Sequence, residues 1–217
     1  MAQFINNYPE KELNDIARYI VQCWIDGFTR ANKDYRIKKT ASIIVPCGME
    51  LLGRLVDNEL EKIGIQGQFI VPYKVYENKQ LNYDHRFDSA LILDRDYTDM
   101  AINVYAEVVD DIQELIKGDA GPVCIELFGE TPFSPVVKNS VLTLNKEQQE
   151  LSREMMSKTA QIYYQYYKRE QNSFCIIAFP SPEIGDKFPE IFADTLKINL
   201  LDSNHYAVIQ QKIIDVL

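Results

Sequence analysis

The sequence predicts an α/β fold: a mostly parallel sheet of about four or five strands, covered by helices on both faces. Three observations predict it. First, four short apolar runs, Ala41–Pro46, Gln68–Pro72, Pro122–Phe128 and Ser173–Phe179, are separated by longer stretches with helical spacing. Strands that alternate with helices pair in parallel through right-handed crossovers. Second, the runs are nearly unbroken, as in strands buried on both faces. Third, three of the four finish in proline (IIVP, FIVP and IAFP). Proline cannot donate to a ladder, so it ends pairing and turns the chain away.

The elements follow in order. From Glu10 to Ala31, Leu13, Ile16, Ala17, Ile20, Trp24 and Phe28 recur at helical spacing behind Pro9. After the strand Ala41–Pro46, helix returns over Met49–Ile63 and stops at Gly64. The strand Gln68–Pro72 leads into Tyr73–Asp84, which has no clear period and reads as a loop. Helix resumes over His85–Leu93 and again over Tyr97–Lys117, with Ala101, Val104, Val108, Ile112 and Leu115 expected inward. Gly118–Gly121 ends it, and Pro122 fits only at the first position of the third strand. Asn145 is placed to cap a helix reaching about Arg169, with Leu151, Met155, Ile162 and Tyr166 inward. After the fourth strand come helical patterns over Asp186–Ile198 and Asn204–Leu217. With 217 residues, 46% of them apolar, the chain can bury a substantial core. No linker, repeat or low-complexity tract interrupts it, so it reads as a single α/β domain over 1–217.

Charge excludes several classes of partner. The 23 basic and 32 acidic residues give a net charge of −9. A nucleic-acid binder presents a basic face, and an anionic membrane surface attracts one, so neither partner is expected. No apolar run reaches the roughly 18–20 residues that span a bilayer. The opening MAQFINNYPEKEL lacks a basic segment followed by an apolar one, so no secretory signal is read and a cytoplasmic location is expected.

Candidate chemistry is sparse. Glycine-rich phosphate loops and the H-E-x-x-H motif are absent. The two histidines, His85 and His205, lie in polar helical stretches and would form a metal site only by meeting across the fold. Cys23, Cys47, Cys124 and Cys175 include no C-x-x-C pair, so they read as small buried hydrophobes in a reducing compartment. Cys47 is set apart: beside Gly48 and ahead of a helix, its thiolate would be stabilised by the helix N-terminus. No elbow motif or base accompanies it. Glu126 and Glu130, within and just past the third strand, could do acid–base work or hold a divalent ion; Glu126 also suits an edge or interface. The acidic run Asp94, Asp96, Asp99, Glu107, Asp110, Asp111 and Glu114 lacks a calcium-loop pattern and reads as a solvated helix face. Tyr163, Tyr164, Tyr166 and Tyr167 suit a packed stripe better than a ligand platform.

Two motifs carry a family resemblance. Ile125–Pro132, IELFGETP, matches a strand ending in G-E-x-P, and Phe174–Pro182, FCIIAFPSP, matches a strand of the form W-C-I-V-A-x-P-T-P. Phe188-Pro189 matches the F-P that opens the following helix. In this order and spacing they resemble the N-terminal half of the thermophilic metallo-aminopeptidases of the aminopeptidase T and aminopeptidase S type. The match is best over Gly118–Phe192, with Phe174 where that family tends to have tryptophan. From Leu13 to Pro72 only the order of elements agrees.

The resemblance implies a cytosolic peptide hydrolase acting through two divalent ions of the zinc, cobalt or manganese class. Their ligands lie in the family's C-terminal half and have no counterpart in this sequence. The chain is therefore expected to be an N-terminal domain that walls a peptide cleft and contributes to a homodimer. It is expected to carry no catalytic residue and no metal of its own. The apolar end QQKIIDVL fits a domain cut from a longer enzyme, or a stand-alone homologue of that domain. Open α/β sheets bind ligands at the carboxyl ends of their strands. The cleft candidates are accordingly Cys47, Gly48, Gly129, Glu130, Pro180 and Pro182, in loops Pro46–Gly48, Pro72–Tyr73, Gly129–Pro132 and Pro180–Glu183. The rival expectations are a non-enzymatic binding module on the same scaffold and a thiol enzyme using Cys47.

Overall fold

The structure, a computed structural model, describes residues 1–72, 78–200 and 203–216. In chain order its elements are α1 (Ala2–Asn6), α2 (Glu10–Arg30), β1 (Thr40–Ile44), α3 (Glu50–Glu61), β2 (Gln66–Ile70), α4 (Lys79–Asp84) and α5 (Arg95–Asp111). There follow α6 (Gln113–Gly118), β3 (Val123–Phe128), α7 (Lys146–Tyr164), β4 (Cys175–Pro180), α8 (Phe188–Asn199) and α9 (Ser203–Ile214). The chain divides into two compact units. A sheet unit comprises Met1–Pro72, Asp119–Thr131 and Glu170–Leu217; a helical unit comprises Tyr73–Gly118 and Pro132–Arg169. No linker composition marks the passages between them.

In the sheet unit all four expected strands lie side by side in one sheet, ordered β2-β1-β3-β4, with every pairing parallel. Alternation along the strands puts Ala41, Ile43, Val45, Val123, Ile125, Ile177 and Phe179 on one face. They share a core with Ile20, Trp24 and Phe28 of α2, Leu52, Val56 and Leu60 of α3, and Phe188 and Phe192 of α8. Burying one such side chain contributes about 1.5–3 kcal/mol. An exposed ion pair such as Arg18–Asp15 contributes at most about 1 kcal/mol, so the apolar layer carries this unit. Across the opposite face runs the register row Ile70–Ile44–Cys124–Ile176, whose outer members are 47% and 54% exposed.

Strand limits shift from the expected ones for local reasons. β2 begins at Gln66 rather than Gln68, because Gln66 N–H already bonds to Lys39 O and Gly67 N–H to Asp57 Oδ1. Gly67 permits this start: a Cβ there would overlap both Asp57 and Ile43. β4 starts at Cys175 and includes Pro180, whose register partner is Phe128. β3 is an interior strand, so Glu126 is not an edge residue; its side chain is exposed on the face opposite Ile125.

The helical unit departs more. Part of the expected loop Tyr73–Asp84 is helix: Asn78 caps α4 through Leu81 N–H at 2.8 Å. Residues 73–77 of that loop, including the Tyr73 end of a candidate loop, lie outside the described residues. The helix expected over His85–Leu93 is a 3₁₀ turn at Asp88–Leu91, with His85 ending α4. The helix expected over Tyr97–Lys117 breaks at Ile112 into α5 and α6. Its inward face is also different. Val104 and Leu115 are 54% and 59% exposed, and Val108 and Ile112 are exposed too, whereas Thr98, Val109 and Ile116 are buried. The segment carries two apolar stripes, and α7 packs against α5. Asn145 caps α7 in a full capping box with Gln148, as expected, but α7 ends at Tyr164 and only Leu151 among its inward candidates is fully buried.

Candidate functional site

Parallel pairing places the carboxyl ends of all four strands at one edge of the sheet unit. The loops after β3 and β4 are tied together there. Ser181 N–H donates to Phe128 O at 2.6 Å, and Thr131 N–H to Glu183 Oε2 at 2.8 Å. Gly129 has φ +82° and would set a Cβ 3.0 Å from Ile184 Cδ1, so the left-handed turn and the close approach both favour glycine. Ser181 caps the next turn through Glu183 N–H, and Gly185, at φ +100°, closes it ahead of α8. The GETP and FPSP motifs therefore end neighbouring strands, and each donates one hydrogen bond to a residue flanking the other.

The loop after β1 is built separately. Gly48 has φ +92° and donates its N–H to Glu50 Oε2 at 2.9 Å, across the start of α3. A Cβ at Gly48 would lie 2.9 Å from both Met1 Cβ and Ala2 N. Cys47, beside it, is exposed. α1 thus lies against this edge, held by fully buried Ile5 and by Phe4, whose ring meets Phe188 and Phe192 at 4.7 and 4.9 Å. A cavity of about 450 Å³ opens beside it, lined mainly by Met1, Phe4, Tyr8, Pro182 and Phe188. It is shallow and open to solvent over most of its mouth. Burial and the neighbouring Glu12 carboxylate hold the Tyr8 hydroxyl above its usual pKa.

The candidates sort accordingly. Gly129 and Glu130 adjoin the β4 loop, and Pro182 lines the cavity. Gly48 touches Met1, a residue of the same cavity. Pro180 is buried at the end of β4, and Glu130 is exposed.

A second polar cluster, which the sequence reading missed, sits at the opposite edge. Lys38 is only 6% exposed; burial lowers its pKa against the pull of Asp119 and Glu170. Burial raises the Asp119 carboxyl, opposed by N–H groups of Gly121, Ser42 and Ala120 and by Lys38. Nearby, Thr40 Oγ1 and both amide atoms of Asn172 are buried without hydrogen-bond partners among the described residues. The residues precede or open β1, β3 and β4, so parallel topology alone gathers them, and no spacing in the sequence announces it.

A pair of divalent ions needs several carboxylate and imidazole donors at one point. Among the described residues no three His, Cys, Asp or Glu side chains converge in that way, and His85 pairs with Asp88 at 2.8 Å in the helical unit. Among the described residues no helix is long and apolar enough to cross a membrane. No protein-family model matches the chain, and no curated protein matches it.

Proposed function

We propose that this chain is the N-terminal substrate-cleft and dimerisation domain of a cytoplasmic metal-dependent aminopeptidase, an enzyme that removes N-terminal residues from peptides. One observation carries the reading: the two family-like motifs end adjacent parallel strands, and Thr131 N–H joins their loops through Glu183. That edge is where open α/β sheets bind ligands. The catalytic ions belong to residues outside this chain, so the chain alone does not cleave peptides. The test supplies zinc, cobalt or manganese with a leucyl chromogenic substrate. No metal-dependent release is expected, and release at this chain length overturns the assignment. Light scattering checks the homodimer.

The cavity beside Pro182 favours a second reading, a small-molecule binding module on the same scaffold. A metabolite that raises the melting temperature in a thermal-shift screen favours it, since a ligand of the native state stabilises by mass action.

A further inference from the structure

α2 meets the segment leading into β4 at a glycine. A Cβ on Gly27 would stand 2.6 Å from Ser173 Oγ and 3.7 Å from the Phe174 carbonyl oxygen. Helix and strand are therefore only one side chain apart there. Gly27 and Cys23, four residues apart, lie on one line along the helix. Ser173, just ahead of β4, and Cys175, its first residue, donate their N–H groups to Ala120 O and Pro122 O, so they lie on one face of the extended chain. Four residues of helix advance about 6 Å, and two residues of strand about 6.6 Å. So Cys23 stands opposite Cys175 much as Gly27 stands opposite Ser173. Tyr19, one turn further back, hydrogen-bonds Cys23 and lies within electrostatic reach of Cys175, as an antiparallel course of the two elements requires.

We propose that Cys23 and Cys175 form a reversible disulfide that fastens α2 to the edge strand β4. Both are free thiols in the structure. A disulfide needs Cα atoms about 4.4–6.8 Å apart, so this bond requires that spacing between Cys23 and Cys175. Cys124 is out of phase: it shares a row with Ile176, on the other face of the sheet. Cys47 lies beyond the carboxyl end of β1.

The oxidant is a small-molecule disulfide. The Cys23 thiolate, the less buried of the two, attacks one sulfur of it, forms a mixed disulfide and expels one thiolate. The Cys175 thiolate then attacks Cys23 Sγ; the protein disulfide forms, the mixed bond breaks and the second small thiol leaves. The protein loses two hydrogens and the oxidant becomes two thiols. Burial pushes the Cys175 thiol up to about 12, so this second step is slow at neutral pH and accelerates with alkali.

The test incubates the chain with oxidised glutathione over a pH series, alkylates it and maps its peptides without reduction. A peptide linking Cys23 to Cys175 is expected, forming about tenfold faster per pH unit as the thiolate fraction grows. Exposed Cys47 should carry glutathione, Gly27→Ala should lower the linked yield several-fold, and Cys175→Ser should leave Cys23 glutathionylated. Recovery of Cys23 and Cys175 on separate peptides while Cys47 is fully modified overturns the proposal, as does linkage of either to Cys124. The wild-type map decides even if a variant fails to fold.

Discussion

At the scale of single residues, Gly129 is the clearest point of contact between motif and structure. Its φ of +82° lies where a Cβ costs about 1–2 kcal/mol. The nearest obstacle is Ile184 Cδ1, the end of a flexible side chain. Gly129→Ala should therefore lower unfolding stability by about 1–2 kcal/mol, read as a lower urea midpoint with unchanged slope. Cys175 gives a pH dependence. Its thiol rises from 9.0 to about 12 on folding, so the native state holds the proton more tightly. The stability this contributes is present below pH 9 and is lost as pH rises through about 12. Cys175→Ala should flatten the alkaline slope of the melting temperature, whatever it costs in packing. The sequence made Gly129 visible because the G-E-x-P pattern holds a glycine at a strand end. It hid Lys38, Asp119 and Asn172, since each looks like an ordinary polar loop residue until three strand beginnings are brought together.

At the scale of elements, caps decide several boundaries. The Asn145 side chain accepts from Gln148 N–H at 2.9 Å, and Gln148 Oε1 accepts from Asn145 N–H at 3.2 Å. Gln148 also donates to Ala90 O and Leu93 O, fixing the turn ahead of α5. Asn145→Ala should cost about 1 kcal/mol. Gln148→Ala should cost more, because it also removes the side-chain donor that those two carbonyls share; chemical denaturation compares the two. Both outer strands are blunted by a side chain. Asp57 takes the Gly67 N–H of β2, and Asn199 donates to the Ala178 carbonyl of β4. Asp57→Ala should accelerate hydrogen exchange at Gly67 and raise the tendency of the edge to self-associate. Asn145 was legible because capping is a local rule. The buried stripe of α5 was not: Val104 and Val108 compete with Thr98 and Val109, and only the partner helix chooses.

At the scale of the whole molecule, the two units differ in how much they bury. The large apolar cluster, with Trp24, Phe28, Phe179 and Phe192 fully enclosed, belongs wholly to the sheet unit. In the helical unit, full burial among the described residues is confined to Leu93, Thr98, Val109, Ile116 and Leu151. Cooperative units with fewer buried apolar contacts open at lower free energy. Amides of α5 and α7 should therefore exchange at lower denaturant than those of β1 and β3, and guanidinium unfolding should show two transitions. A single coincident transition for both sets of amides would contradict this. The parallel sheet was legible because four apolar runs alternate with helices. The division into units was not, because nothing at residues 72, 118, 131 or 169 departs from ordinary loop composition.

The strand order has a consequence for biosynthesis. β3 lies between β1 and β4, yet the Pro132–Arg169 stretch of the helical unit intervenes before β4 is made. While the ribosome is still adding that stretch, a nascent chain would carry Val123–Phe128 with one flank waiting for its neighbour. A translational pause there would prolong the interval in which a chaperone, or another emerging polypeptide, can take the place reserved for Cys175–Pro180.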